Sequence, residues 1–137
     1  MADFKKLVVW QKAHDLALRV IKAVALLRGP EHAALRAQLK RAAMSIPANI
    51  VEGRGQKSDR EFARFLGYAL NSASETEYHL ILSRDSKALP ERVVLPLLGG
   101  VIEIRRMLYG LLRSLEPHRH AAGEKATETE PVEDSSR

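Results

Sequence analysis

The stretch RAAMSIPANIVEGRG, residues 41–55, holds the side chains that most invite a chemical interpretation. Ser45, Asn49 and Glu52 follow one another at steps of four and three, which would place them on one side of a helix. A nucleophilic serine needs a neighbouring base, and this stretch contains no histidine or cysteine to activate one. The Gly-Arg-Gly turn at residues 53–55 is too short for a phosphate-binding loop and follows no strand. We therefore expect no catalytic centre here.

Metal chemistry is the second possibility, because helical bundles hold di-iron centres. Such centres need two Glu-x-x-His pairs and two further carboxylates. Glu75 and His79 are four residues apart instead of three, and no second pair exists. The chain has no cysteine, which excludes thiolate metal sites and disulfides. We expect no metal, no cofactor and no enzymatic activity, and interpret His79 as a partly buried or interface histidine.

Pro47 is an unusual residue for a helical stretch. It lacks a backbone donor and crowds the carbonyl of Ala43, at a cost of roughly 3 kcal/mol in a straight helix. A bond from Ser45 or Asn49 to the freed backbone would lower that cost. A kink would turn this helix towards the next segment, with Asn49 and Glu52 capping or bridging the turn. A packing role for Pro47 and Asn49 is one interpretation, and a role in surface recognition is the other.

Basic side chains flank this stretch on both sides. The candidates for nucleic-acid binding are Arg36, Lys40, Arg54, Lys57, Arg60 and Arg64. If the turn near Gly55 brings two helix ends together, the last four form one patch, which Arg36 and Lys40 adjoin or extend. Such a patch could neutralise phosphates without reading bases. We expect no aromatic residues interleaved among them, and therefore no specific recognition of single strands by base stacking.

The charge distribution has two possible explanations, namely binding of an anionic partner and ordinary ion pairing at the surface. Through residue 116 the sequence has 19 Lys and Arg against 12 Asp and Glu, an excess of seven, whereas residues 117–137 have 3 against 5. A basic body favours an anionic partner such as nucleic acid. Three acidic residues lie between positions 52 and 61, however, so ordinary surface ion pairing is the alternative. Arg41 is a candidate partner for Glu75 or Glu77 across a helical bundle.

Four segments with helical periodicity must position these side chains. In each, apolar residues recur at alternating steps of three and four. The segments run from about Leu7 to Arg28, from Pro30 to the glycines at 53 and 55, from Ser58 to about Asp85, and from about Pro90 to Leu115. Ser58 and Glu61 form a capping box, and Pro96 should break or kink the last segment. The pattern predicts an all-α, antiparallel up-down-up-down four-helix bundle over residues 1–116.

The helical pattern does not continue into the remainder of the chain. Residues 117–137 are polar and have too few large apolar side chains to offset the entropy of ordering, so we expect a disordered tail. No apolar run approaches the roughly 20 residues that span a bilayer, and the first residues lack the apolar core of a signal peptide. We expect a cytoplasmic protein without membrane contact.

Three parts of the sequence resemble a known family. LVVWQKAHDLALRV, LRAQLKRAAMSIPANIVEGRGQKSDREFARFLGYA and EIRRMLYGLL are similar to four-helix-bundle proteins encoded in intervening sequences of bacterial 23S ribosomal RNA genes. The similarity covers about residues 4–115. The motif residues that fall in the family's order and spacing include Arg41, Ser45, Pro47, Asn49, Glu52 and Gly53.

The resemblance implies an assembly without enzymatic activity. Family members are similar to accessory proteins of diversity-generating retroelements, which form five-subunit barrels with basic surfaces and associate with a reverse transcriptase and nucleic acid. By resemblance, this chain is a homopentamer that binds RNA or a ribonucleoprotein partner, such as a reverse transcriptase. The alternative is an adaptor that binds another protein and makes no direct contact with nucleic acid.

Overall fold

The computed structural model of the protein describes residues 3–116. Within that range the chain is all-α, with four α-helices and no strand. The helices are α1 (Val8–Val24), α2 (Ala33–Arg54), α3 (Asp59–Asp85) and α4 (Glu91–Ser114), and short 3-10 helices at Phe4–Lys6 and Pro30–His32 precede α1 and α2. The all-α prediction is confirmed. The predicted disorder of residues 117–137 concerns a segment outside the described residues.

The start of α3 follows from a capping interaction. Ser58 has extended backbone angles, and its hydroxyl accepts a hydrogen bond of 3.1 Å from the Glu61 N–H. This bond satisfies one of the free donors at the helix start. The other half of the predicted capping box is absent, because the Glu61 carboxylate accepts from Arg64.

The end of α1 comes earlier than predicted. The helix ends at Val24, and the N–H groups of residues 25–27 then donate to carbonyls three residues back. Tighter bonds of this kind are common in the last turn of a helix. Gly29 follows with φ +91°, a left-handed conformation that glycine adopts at little cost. The chain can therefore reverse before α2.

Pro96 does not break α4, so of the predicted break or kink the break is wrong. The helix runs unbroken from Glu91 to Ser114 with Pro96 inside it. Pro96 removes the donor for the carbonyl of Arg92, and both residues are solvent-exposed. Water can therefore satisfy the carbonyl at this end of the helix.

Cross-helix contacts reveal how α2 and α3 pack. Arg41 meets Glu75, and Ser45 meets Ser72, so residue numbers rise on one helix as they fall on the other. This is the relation between antiparallel neighbours. The remaining interhelical packing joins α1 with α2, α3 with α4, and α1 with α4. The arrangement is consistent with the predicted up-down-up-down order.

The inward-facing stripes of the four helices meet in one hydrophobic core. All four helices supply buried aliphatic side chains, and burial of each stabilises the fold by about 1.5–3 kcal/mol relative to exposure. The largest fully buried side chains are Leu16, Leu27, Leu39, Ile46, Ile50, Leu66, Leu80, Leu89, Ile104, Leu108, Val20 and Val94.

The outer side of α4 also carries large apolar groups. Leu95, Ile102 and Tyr109 follow one another at steps of seven and are 50%, 41% and 50% exposed. Seven residues are nearly two helical turns, so the three side chains form one stripe along the helix. We call these three residues the α4 stripe. Exposed apolar side chains that share one face of a helix are a candidate contact surface.

Candidate nucleic-acid interface

The family-like motif lies where α2 packs against α3. The Ser45 and Ser72 hydroxyl oxygens are 2.8 Å apart. The Asn49 side-chain amide donates to the Ser45 carbonyl at 2.9 Å and to the Ser45 hydroxyl at 3.0 Å. Arg41 donates to the Glu75 carboxylate at 2.6 Å, which is one of the two pairings expected for Arg41. We call these five residues the α2–α3 seam.

The geometry of the seam supports a packing role. Ser72 is 7% exposed, and Ser45 and Asn49 are half-buried, so their polar atoms need partners inside the interface. They find those partners in one another. Asn49 bonds backwards within α2, which corrects the prediction that it bridges the turn into α3. The carbonyl that accepts from the Asn49 side chain belongs to Ser45. The carbonyl that Pro47 leaves without a backbone donor belongs to Ala43, two residues earlier.

Ser72 is a residue of this seam that the sequence analysis missed. It lies one helical turn from the buried Ala69 and Thr76. A small polar residue at a core position is the signal that could have identified it, because such a hydroxyl must find a partner.

Gly53 has a steric function at the end of α2. A Cβ atom at this position would lie 2.8 Å from the Phe65 Cβ and 2.9 Å from the Phe62 Cδ1. The glycine therefore lets the two helices approach closely just before the turn. Glu52 is exposed, and its backbone carbonyl accepts a bond of 3.1 Å from the Gln56 side chain. Glu52, like Asn49, makes no polar contact with α3 within residues 3–116.

Arg54, Lys57, Arg60 and Arg64, the residues of the predicted patch, lie at or near the turn between α2 and α3, but these side chains differ in availability. Lys57 and Arg60 are exposed, and no ion pair in the described part of the chain engages them. Arg54 is half-buried with its guanidinium 5.4 Å from the centre of the Phe62 ring. A groove of about 490 Å³ between α3 and α4 is lined in part by Arg60 and Arg64. Two of the four are thus free to meet an anion.

Arg64 is held by its own helix. Its guanidinium donates to the Glu61 carboxylate at 2.8 and 3.0 Å and to the Tyr68 hydroxyl at 2.7 Å. The bond to Glu61, and then that to Tyr68, raises the pKa of Arg64 above its ordinary value. The guanidinium also lies 5.1 Å from the centre of the Phe65 ring. Arg64 therefore stays charged but has fewer donors to offer a phosphate.

The expectation that no aromatic residues are interleaved with this patch is wrong. Phe62 lies between Arg60 and Arg64 in the sequence, and Phe65 and Tyr68 follow Arg64. The guanidinium of Arg54 lies over the Phe62 ring, and that of Arg64 lies over the Phe65 and Tyr68 rings. Tyr68 is 40% exposed, whereas Phe62 is buried and Phe65 half-buried. The aromatic groups thus serve mainly to hold arginines, and Tyr68 alone of the three presents a substantial face to solvent.

Arg36 and Lys40 do not adjoin this patch, contrary to the prediction. They precede Arg54 on α2 by 18 and 14 residues, which corresponds to about 27 and 21 Å of helix. Arg36 is half-buried and donates to the Leu27 carbonyl, and at 3.4 Å to that of Gly29. Its guanidinium therefore ties α2 to the connection that follows α1.

The described residues offer neither a metal site nor a membrane-spanning helix. Within residues 3–116, no group of three or more His, Cys, Asp or Glu side chains has a geometry that could hold a metal ion. Across the same residues, no helix combines the length and the apolar character needed to cross a membrane.

The chain is similar to known proteins both in sequence and in fold. Residues 5–110 match the sequence model of the 23S rRNA-intervening sequence protein family. The fold is similar to a crystal structure of a protein of unknown function from the S23 ribosomal protein family of Bacteroides thetaiotaomicron. The TM-score is 0.72 with 27% sequence identity, over 77% of this chain and 98% of that one. No curated protein matches the chain.

Proposed function

The chain belongs to the 23S rRNA-intervening sequence protein family, and we propose that it acts in the cytoplasm as a non-catalytic, oligomeric RNA-binding protein. Its basic surface contacts the phosphate backbone. Its partner is a structured RNA, alone or within a ribonucleoprotein such as a reverse transcriptase complex.

The observation that carries the proposal is the number of basic groups left free for an anion. Eleven basic side chains are exposed and form no ion pair within residues 3–116. They are Lys5, Lys6, Lys22, Arg28, Lys40, Lys57, Arg60, Lys87, Arg92, Arg106 and Arg113. Each can neutralise a phosphate and release its counterion, and this exchange supplies most of the affinity for nucleic acid that does not depend on sequence.

The test is binding of the full chain to a structured RNA over a series of salt concentrations. We expect log affinity to fall linearly with log salt, because each phosphate contact releases a counterion. A response that does not change with salt would overturn the proposal. So would an absence of binding at low ionic strength, where the electrostatic contribution is largest.

Self-association is the second part of the proposal. The α4 stripe supports it, since Leu95, Ile102 and Tyr109 leave apolar surface that a neighbouring subunit would cover. The family resemblance points to five subunits, and a ring would add the weak RNA contacts of each subunit through avidity. Light scattering of the purified protein measures the subunit number. A monomer at working concentration would overturn this part.

The α4 stripe also favours a second candidate function, an adaptor that binds another protein. Under this alternative the stripe covers a different polypeptide, and the positive charge only keeps the protein soluble. A defined partner captured by the wild-type chain, retained after nuclease treatment and lost with Ile102→Glu, would favour the adaptor. Loss of the partner on nuclease treatment would favour the RNA-binding proposal.

A further inference from the structure

The two ends of the helical bundle carry different charge. One end, which we call the α1–α2 end, comprises residues 22–40 and 84–92, around the connections from α1 to α2 and from α3 to α4. The other, the α2–α3 end, comprises residues 3–6, 52–64 and 113–116. The first has seven Lys and Arg against three Asp and Glu, and the second has seven against five. The α1–α2 end is therefore the more positive of the two.

The cations of the α1–α2 end are also available. Five of the seven are exposed and take part in no ion pair within the described chain, namely Lys22, Arg28, Lys40, Lys87 and Arg92. Of the other two, Arg36 binds the Leu27 carbonyl in the connection after α1, and Arg84 pairs with Asp85 at 3.0 Å. The acidic groups that remain at this end are Glu31 and Glu91.

The positions of these cations surround the end of the bundle. Arg36 ties the start of α2 to the Leu27 carbonyl, so Arg28 lies beside the first turns of α2. Lys22 and Val93 line one groove between α1 and α4, and Arg92 is the neighbour of Val93. Lys87 lies in the turn between α3 and α4. Positive charge is thus present along three of the four helix-helix edges.

The α2–α3 end is less suited to a polyanion. Its free cations are Lys5, Lys6, Lys57, Arg60 and Arg113, but five carboxylates share the surface: Asp3, Glu52, Asp59, Glu61 and Glu116. Each carboxylate repels a phosphate by about as much as a cation at equal distance attracts it. The two ends have equal numbers of free cations. The α2–α3 end therefore has the weaker positive field, because it carries more carboxylates.

From this asymmetry we infer that the α1–α2 end is the principal RNA-contacting surface of the protein. The inference rests on the proposed function and names the site that performs it. Residues 22–40 and 84–92 contain no Phe, Tyr or Trp, so this surface has no platform on which an unpaired base could stack. Its ligand is the phosphate backbone of a duplex or folded RNA, bound without regard to base sequence.

Two matched triple variants of the full chain test the inference. The first is Arg28→Gln with Lys40→Gln and Arg92→Gln, at the α1–α2 end. The second is Lys57→Gln with Arg60→Gln and Arg113→Gln, at the α2–α3 end. Both lower the net charge by the same amount and alter only exposed side chains. The probe is an RNA duplex of about 16 base pairs, the length that a double-stranded RNA-binding domain covers, and circular dichroism verifies that both variants fold.

The inference predicts unequal effects. Each lost phosphate contact lowers the salt slope by about one, so the first variant should lose about three in slope. The second should lose less than one. Equal losses, or a larger loss in the second variant, would overturn the assignment of the site while leaving RNA binding in place. Failure of the wild-type chain to bind the duplex would instead overturn the proposed function, and the inference with it.

Discussion

The Ser45 hydroxyl on α2 and the Ser72 hydroxyl on α3 lie 2.8 Å apart, although 27 residues separate them along the chain. Asn49 donates to the same Ser45 hydroxyl. A polar link inside an apolar interface fixes the register of the two helices, since sliding either helix would leave buried hydroxyls without partners. The seam is thus the feature of the motif with the most specific structural consequence.

Ser72→Ala should destabilise the protein by about 0.5–1.5 kcal/mol, the usual net value of one hydrogen bond. The cost lies in that low range because Ser45 keeps its bond from Asn49. The control is Ser74→Ala on the exposed side of α3, expected to change stability by less than about 0.5 kcal/mol. Urea denaturation measures both. If Ser45→Ala and Ser72→Ala add without coupling in a double-mutant cycle, the hydroxyls do not interact.

Gly53→Ala should destabilise the fold by about 1–3 kcal/mol, since overpacking costs that much. Helix propensity favours alanine by up to about 1 kcal/mol, but the added Cβ would meet the Phe65 Cβ at 2.8 Å, an atom that moves only with its backbone. Gly67→Ala is the matched control. No atom lies within 4 Å of its added Cβ, so it should stabilise by about 0.5–1 kcal/mol. Thermal unfolding that ranks the two variants in the opposite order would contradict this account.

Arg36→Gln should lower stability by about 1–3 kcal/mol, the cost of leaving buried polar groups without partners. The reason is the loss of the donor to the carbonyl of Leu27, a buried residue. Lys40→Gln, one turn further along α2, removes the same charge from an exposed position and should leave stability nearly unchanged. Denaturation curves for the two variants check the difference. Equal stabilities would argue against a stabilising role for the bond from Arg36 to the Leu27 carbonyl.

The two cross-helix ion pairs of α3 should differ in strength. Arg41 and Glu75 are 54% and 42% exposed, whereas Arg105 and Glu77 are 25% and 30% exposed. Water and salt screen the first pair more, so Glu75→Gln should cost at most about 1 kcal/mol.

Glu77→Gln should cost more than Glu75→Gln, and its effect should persist at higher salt because a less exposed pair is screened less. Denaturation of both variants at low and high ionic strength measures the comparison. Glu103→Gln, which breaks an exposed pair with Lys12, provides the reference for a surface interaction. An equal, salt-sensitive loss for Glu75 and Glu77 would refute the difference.

The features predicted most accurately are those set by residues close together along the chain. The Ser58 hydroxyl accepts a hydrogen bond from the N–H of Glu61, only three residues later. Both ends of α3 were predicted within a residue or two. The break expected at Pro96 did not occur, since a proline in an exposed helical turn leaves its orphan carbonyl to water. Hydrophobic periodicity alone does not show whether that carbonyl is accessible to water.

The candidate site was only partly predictable, because free charge depends on what surrounds it. Arg36 and Arg60 look alike in the sequence, yet Arg36 is half-buried and binds the Leu27 carbonyl, whereas Arg60 is exposed. Arg64 has its acidic partner three residues away, a spacing that was visible. Arg41 was correctly given Glu75 as a candidate partner, since both positions fall on facing sides of adjacent helices.

Four amphipathic helices with short connections, and an excess of basic groups, follow from the amino-acid sequence alone. These properties depend on spacing within a few turns and on composition. The tertiary structure was needed to show that Ser72 meets Ser45, that Arg36 binds the Leu27 carbonyl after α1, and that the cations divide unequally between two ends. Those relationships join residues that are distant along the chain, and they exist only once helix packing sets which faces meet.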